Sequence, residues 1–122
     1  MNFYLDEDGV SVECESKKFG CFVMTYMDMK EEDNYFFDKI KNFVNDSDII
    51  FNSVTKAIKK YSSEKYSYNK EYLFQLMTVY ISQTSDEYGM LFNWEGDPEH
   101  GIGVKMQDHN VTKIGSAEVS FS

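Results

Sequence analysis

The chain has 122 residues, 42% of them apolar and 16% aromatic, and a formal net charge of −9 from 21 acidic and 12 basic side chains. That length suits a single domain, residues 1–122, with its own core, and the apolar content excludes a disordered chain. All twelve basic residues are lysines; with no arginine and an acidic balance, the composition speaks against nucleic-acid or phosphate recognition, which leans on bidentate Arg contacts and basic patches.

The first third reads as β-structure. Val10, Val12 and Cys14 alternate with Ser11, Glu13 and Glu15, the period of two that marks a strand with one wet face. Asn2–Leu5 can pair with it across Asp6-Glu7-Asp8-Gly9, where Asp-Gly is a turn signal. Phe19–Tyr26 is longer and more apolar and predicts a third, more central strand.

The period then changes. Phe36, Phe37, Ile40, Phe43 and Val44 share one helical face, and Glu31, Glu32 and Asp33 bring negative charge to its N-terminus. Asn45-Asp46-Ser47-Asp48 offers caps for a second helix. Its buried face would be Ile50, Val54, Ala57, Ile58 and Tyr61, with Lys56, Lys59 and Lys60 near its C-terminal end. Ser62–Asn69 reads as a polar, tyrosine-rich loop and Lys70–Leu76 as a short third helix.

Alternation returns after that. Met77, Val79 and Ile81 form one set, Met90, Phe92 and Trp94 a second, Ile102, Val104 and Met106 a third. Val111–Ile114 follows the turn Asp108-His109-Asn110. Such short connections dictate antiparallel pairing. The expected fold class is α+β: N-terminal β-strands, two to three helices packed on one face and a C-terminal antiparallel β-meander.

Charge is unevenly spread. Residues 35–70 carry seven lysines against four acids, a net +3, so the rest of the chain holds −12. Two acidic segments contain no lysine: Asp6, Glu7, Asp8, Glu13 and Glu15 in the first, Asp86, Glu87, Glu95, Asp97 and Glu99 in the second. A charge run is ordinarily solvated surface, but together these two segments could make one negative face that attracts a basic partner. The tyrosines Tyr61, Tyr66, Tyr68 and Tyr72 are the other contact feature, since exposed Tyr anchors interfaces. Cys14 and Cys21 fit neither a zinc nor a redox spacing. No stretch reads as a secretion signal or a membrane span. We therefore expect a cytoplasmic protein with reduced thiols.

The segment Gly89–Val104 concentrates the unusual residues: Trp94, Pro98, His100, Gly101 and Gly103. Asp97, Glu99 and His100 could serve as an acid/base or metal cluster. The alternative is structural. Asp97-Pro98 opens a type I turn, and Gly101 and Gly103 permit positive φ or close packing where the next strand begins. Three ligands within four loop residues enclose an ion poorly, and His109 lies a strand away, about 17 Å. Neither a nucleophile elbow nor a phosphate loop is present. The turn reading is the stronger, with no catalytic, metal or cofactor group expected.

The run Phe92-Asn93-Trp94-Glu95-Gly96-Asp97-Pro98-Glu99-His100-Gly101-Ile102-Gly103-Val104, followed by Val111-Thr112-Lys113-Ile114-Gly115, resembles a group of small acidic bacterial proteins whose C-terminal halves share an aromatic strand, a D-x-E-H-G turn and a G-V strand. The resemblance covers about the last 35 residues and extends loosely to Lys59-Lys60-Tyr61. Members look like immunity proteins of toxin–immunity systems, including contact-dependent growth inhibition. The resemblance implies a cytoplasmic binding protein that neutralises one cognate toxin, often a basic nuclease, without catalysis. The expected contacts are Asp86, Glu87, Glu95, Asp97 and Glu99, then Asp6, Glu7 and Asp8. An enzyme or metal protein using Asp97, Glu99 and His100 is the alternative, and a regulatory interaction module without a toxin a third.

Overall fold

The computed structural model describes residues 3–6, 9–26, 34–66, 73–82 and 85–121. Among these the expected α+β architecture is present, built on one seven-stranded sheet whose spatial order equals the chain order. The strands are β1 (Phe3–Asp6), β2 (Gly9–Ser16), β3 (Gly20–Tyr26), β4 (Phe74–Ser82), β5 (Ser85–Trp94), β6 (Ile102–Gln107) and β7 (Asn110–Gly115). Two helices, α1 (Asn34–Asn45) and α2 (Ser47–Tyr66), lie between β3 and β4, and a 3₁₀ turn (Ala117–Ser120) ends the described chain.

All neighbouring strands pair antiparallel except β3 and β4, which run parallel over Val23↔Thr78 to Tyr26↔Ile81. A parallel pair cannot be closed by a hairpin, so the helices form the crossover. The meander expected at the C-terminus and the hairpins expected at the N-terminus are thus halves of one sheet.

The parallel pair gives the molecule two ends. At its carboxyl end, here the upper end, lie Asp6↔Gly9, Tyr26, Ile81, the start of β5 and the β6–β7 turn. At the lower end lie the β2–β3 turn, Phe74 paired with Trp94, and the β5–β6 turn.

Period-two patterning places the core. Val12 and Met24, then Met90, Phe92 and Trp94, then Ile102, Val104 and Met106 are buried from alternate positions. Ile50, Val54 and Ile58 of α2 close over them. Phe19 leaves the β2–β3 turn to stack on Phe43, with ring centroids 5.7 Å apart, and meets Phe51 edge-on at 5.4 Å. Fully burying one such ring stabilises by about 1.5–3 kcal/mol.

Three local expectations are corrected. Ser62–Tyr66 continues α2 rather than starting a loop: Ser62, four residues after buried Ile58, is itself buried and extends the same stripe. Lys59 and Lys60 therefore lie inside the helix, not at its end. Of the third helix expected over Lys70–Leu76, the part Phe74–Leu76 belongs instead to β4. Finally, Leu76 rather than Met77 shares the buried face with Val79 and Ile81. A bulge between Leu76 and Thr78 shifts the pairing with β5 and turns Met77 outward, 46% exposed. An extra residue resets strand alternation in this way. Residues 31–33 and 67–72, including Tyr68 and Tyr72, lie outside the described residues, as do the side chains of Phe36, Phe37 and Tyr66.

Candidate functional site

The β5–β6 turn shows what the Trp94–Gly103 motif builds. The Trp94 indole is buried and meets the Tyr61 ring of α2 at 6.1 Å. The chain then folds across it: a Cβ on Gly96 would lie 2.5 Å from the indole. Asp97 opens the turn. Its Oδ1 accepts the His100 amide at 3.2 Å and its carbonyl accepts the Gly101 amide at 2.8 Å. The loop is one residue wider than the expected type I turn, a single helical turn closed by Gly101 at φ +66, as left-handed glycines close helices. The Gly101 conformation is strained for any other residue, and a Cβ there would meet the Phe92 carbonyl oxygen at 2.5 Å. Gly103 serves close packing, its α-carbon facing the carbonyls of Ser116 and Ala117.

Asp97 and His100 come together, with His100 Nδ1 at 3.1 Å from Asp97 Oδ1. The imidazole is 63% exposed, and Glu99 is exposed beside it. A pair this wet is screened and worth little. Among the described residues no three His, Cys, Asp or Glu side chains converge as a metal site requires.

The structure separates the predicted partner contacts. Glu95, Asp97 and Glu99 lie at the lower end, while Asp86 and Glu87 begin β5 at the upper end, roughly 24 Å away at the usual rise per strand residue. Glu87 is exposed and accepts a hydrogen bond from Thr112 Oγ1 at 3.1 Å. Asp6 ends β1 at the upper end too. Glu7 and Asp8 lie outside the described residues, as do the side chains of Asp6 and Asp86.

The two ends differ in charge. At the lower end a surface recess brings Lys17 and Lys18 beside Glu95 and Pro98, and Glu95 is further occupied by the Leu73 amide at 3.4 Å. Above that recess β3 and β4 part, leaving a cleft of about 930 Å³ between Cys21–Val23 and Gln75–Met77. At the upper end the helix junction adds Asp46 and Asp48, and the β6–β7 turn adds Asp108, to Asp6, Asp86 and Glu87.

The upper end also holds a cavity of about 220 Å³ that the sequence did not disclose. Met24, Phe43, Ile50, Val79 and Ile81 form its apolar walls. Lys39, Asn42, Asp46, Tyr88, Asp108 and His109 form its polar rim. His109 Nε2 lies 3.1 Å from Asp46 Oδ2, tying the β6–β7 turn to the helix junction. The Tyr88 hydroxyl donates to the Asp108 carbonyl at 2.6 Å. Burial, then the charges of Asp46 and Asp108, push the Tyr88 hydroxyl well above the usual phenol range. Lys39, Asn42 and Asp46 fall on one side of α1 and its end at spacings of three and four, a polar helical stripe beside the apolar one. That stripe was the available signal, but nothing local connects it to His109.

Comparison with protein-family models, with curated proteins and with solved structures gave no match. No helix of the described residues is long and apolar enough to cross a membrane.

Proposed function

We propose that this chain is an immunity protein that binds and neutralises a cognate bacterial toxin of basic surface, with the acidic upper end of its sheet as the docking face. One observation carries the reading: the carboxylates segregate. Asp46, Asp48, Glu87 and Asp108 gather at that end, with Lys39 the lysine of the cavity rim, whereas Glu95 at the lower end lies beside Lys17 and Lys18. A predominantly acidic face steers an oppositely charged partner and raises its association rate. The resemblance of Trp94–Val104 to immunity proteins, and the exposure of the Asp97–His100 pair, support a binding role over a catalytic one.

Co-expression with the product of the neighbouring gene is the test. A stable complex is expected, which the triple reversal Asp48→Lys, Glu87→Lys and Asp108→Lys weakens at least tenfold. Losing one central contact of this kind costs on the order of 2 kcal/mol, mostly through faster dissociation. Reversal of Glu95 and Glu99 at the lower end should change affinity much less. A complex indifferent to the upper-end reversal but broken by the lower-end one would relocate the face, and a neighbour product that is no toxin and does not bind would remove the reading.

A further inference from the structure

The upper-end cavity has a composition that restricts its occupant. Its volume of about 220 Å³ equals some seven waters at ~30 Å³ each. That is room for one unbranched aliphatic chain with its head group. The inner walls, Met24, Ile50, Val79 and Ile81, offer only apolar surface. The rim offers acceptors: the carboxylates of Asp46 and Asp108 and the oxygen of Tyr88, against Lys39 and the His109 imidazole.

We propose that this cavity is a receptor for an alkylammonium group, supplied by a lysine side chain of the basic partner. The methylenes would lie along Ile50, Val79 and Ile81 and the ammonium among Asp46, Asp108 and the Tyr88 oxygen. This rests on the function proposed above for the source of the lysine, but not for the chemistry of the pocket.

Three observations support the assignment. Long cationic side chains bury their stems against apolar surface while the head stays with polar groups, which is the division seen here between wall and rim. Burial first, and then the charges of Asp46 and Asp108, which also line the cavity, hold the Tyr88 hydroxyl protonated; the part due to the two carboxylates resists a new anion there and favours a cation. Finally, with Asp46 Oδ2 engaged by His109, the rim presents separate acceptors. A guanidinium fork prefers two coplanar ones, whereas an ammonium is a point charge that takes acceptors from several directions.

The test titrates n-butylammonium into the full chain at constant ionic strength and follows methyl and aromatic NMR signals, with butyrate and 1-butanol as parallel arms. Saturable shifts are expected at Ile50, Val79, Ile81 and Tyr88, with butylammonium at least tenfold tighter than butyrate. Asp108→Asn, at a φ of +56 that Asn adopts readily, should keep the fold and weaken the cation at least threefold. Butyrate binding more tightly, through Lys39 and His109, would overturn the proposal, as would shifts that never saturate or that map outside the cavity. In a complex with a basic partner, Asp108→Asn should weaken affinity and an excess of butylammonium should compete. A complex that ignores both would overturn it as well. Butylammonium binding in a protein that captures no basic partner would retire the toxin reading and leave the cation receptor standing.

Discussion

His109 Nε2 lies 3.1 Å from Asp46 Oδ2 across 63 residues of sequence. The contact joins the β6–β7 turn to the α1–α2 junction and so fixes how the helical layer sits at one end of the sheet. Both side chains are near 40% exposed, at 42% and 44%, which sets the scale of its energy. Exposed pairs contribute roughly 0.2–1 kcal/mol. His109→Ala should therefore lower the melting temperature by only a few degrees, while hydrogen exchange of the amides at Asp46 and Ile50 rises more than elsewhere. A global loss of more than 10 °C would contradict a local tether.

The Asp97–His100 turn gives a contrast of two substitutions. His100→Ala removes an exposed ring and should cost at most about 0.5 kcal/mol. Asp97→Ala removes the oxygen that accepts the His100 amide, and losing a cap of this kind typically costs ~1 kcal/mol. Denaturant titration of both variants checks the order. A larger cost at His100 than at Asp97 would return this pair to the list of working side chains.

Gly89 faces the C-terminal 3₁₀ turn so closely that an added Cβ would overlap the Ser120 carbonyl. Gly89→Ala must push Ala117–Ser120 off the sheet or move β5. Overpacking of this kind costs about 1–3 kcal/mol. The expected outcome is a lower denaturation midpoint together with faster proteolysis of the C-terminal segment. A variant as stable and as resistant as the wild type would mean that the turn does not pack there.

The two thiols should differ in reactivity. Cys21 is exposed and Cys14 buried. Burial pushes the Cys14 thiol from the ordinary 9.0 up to about 11. At pH 8 only about one Cys14 in a thousand is then a thiolate, the reactive form. Single-hit labelling at Cys21 is expected, with Cys14 following only on unfolding. The same shift predicts a stability trend. Below pH 9 folded and unfolded states both hold the proton, while between pH 9 and about 11 the unfolded state releases it first. Stability contributed by this group is thus full below pH 9 and falls as pH rises through about 11, and Tyr88 acts in the same direction from about pH 10 upward. Cys14→Ala should flatten the decline over pH 9–11 in chemical-denaturation curves.

Regular antiparallel strands were legible because their period survives intact: Met90, Phe92 and Trp94, then Ile102, Val104 and Met106, are buried as their alternation demands. Where one residue interrupts the ladder, as at Met77, the phase inverts, and no local residue type announces the bulge. The end of α2 was hidden because Ser62 is polar by type yet buried by position. The turn at Asp97–Gly101 was legible since Pro and Gly impose it through local backbone limits. The cavity was not, because Met24, Asp46, Val79, Tyr88 and His109 meet only through the parallel pairing of β3 with β4.

That short parallel ladder has a consequence for how the chain reaches this state. Five of the six strand pairs are joined by short connections; the sixth, β3 with β4, must wait for the segment from Tyr26 to Phe74 to come round. Loop-closure entropy falls on that single step, and non-local pairings of this kind slow folding. The seam where β3 meets β4 is expected to form last and to limit the rate. Val79→Ala on the seam should then slow refolding at least as much as it speeds unfolding, since contacts formed in the rate-limiting step carry the folding barrier. The molecule is, in kinetic terms, two locally zipped sheets waiting on one handshake.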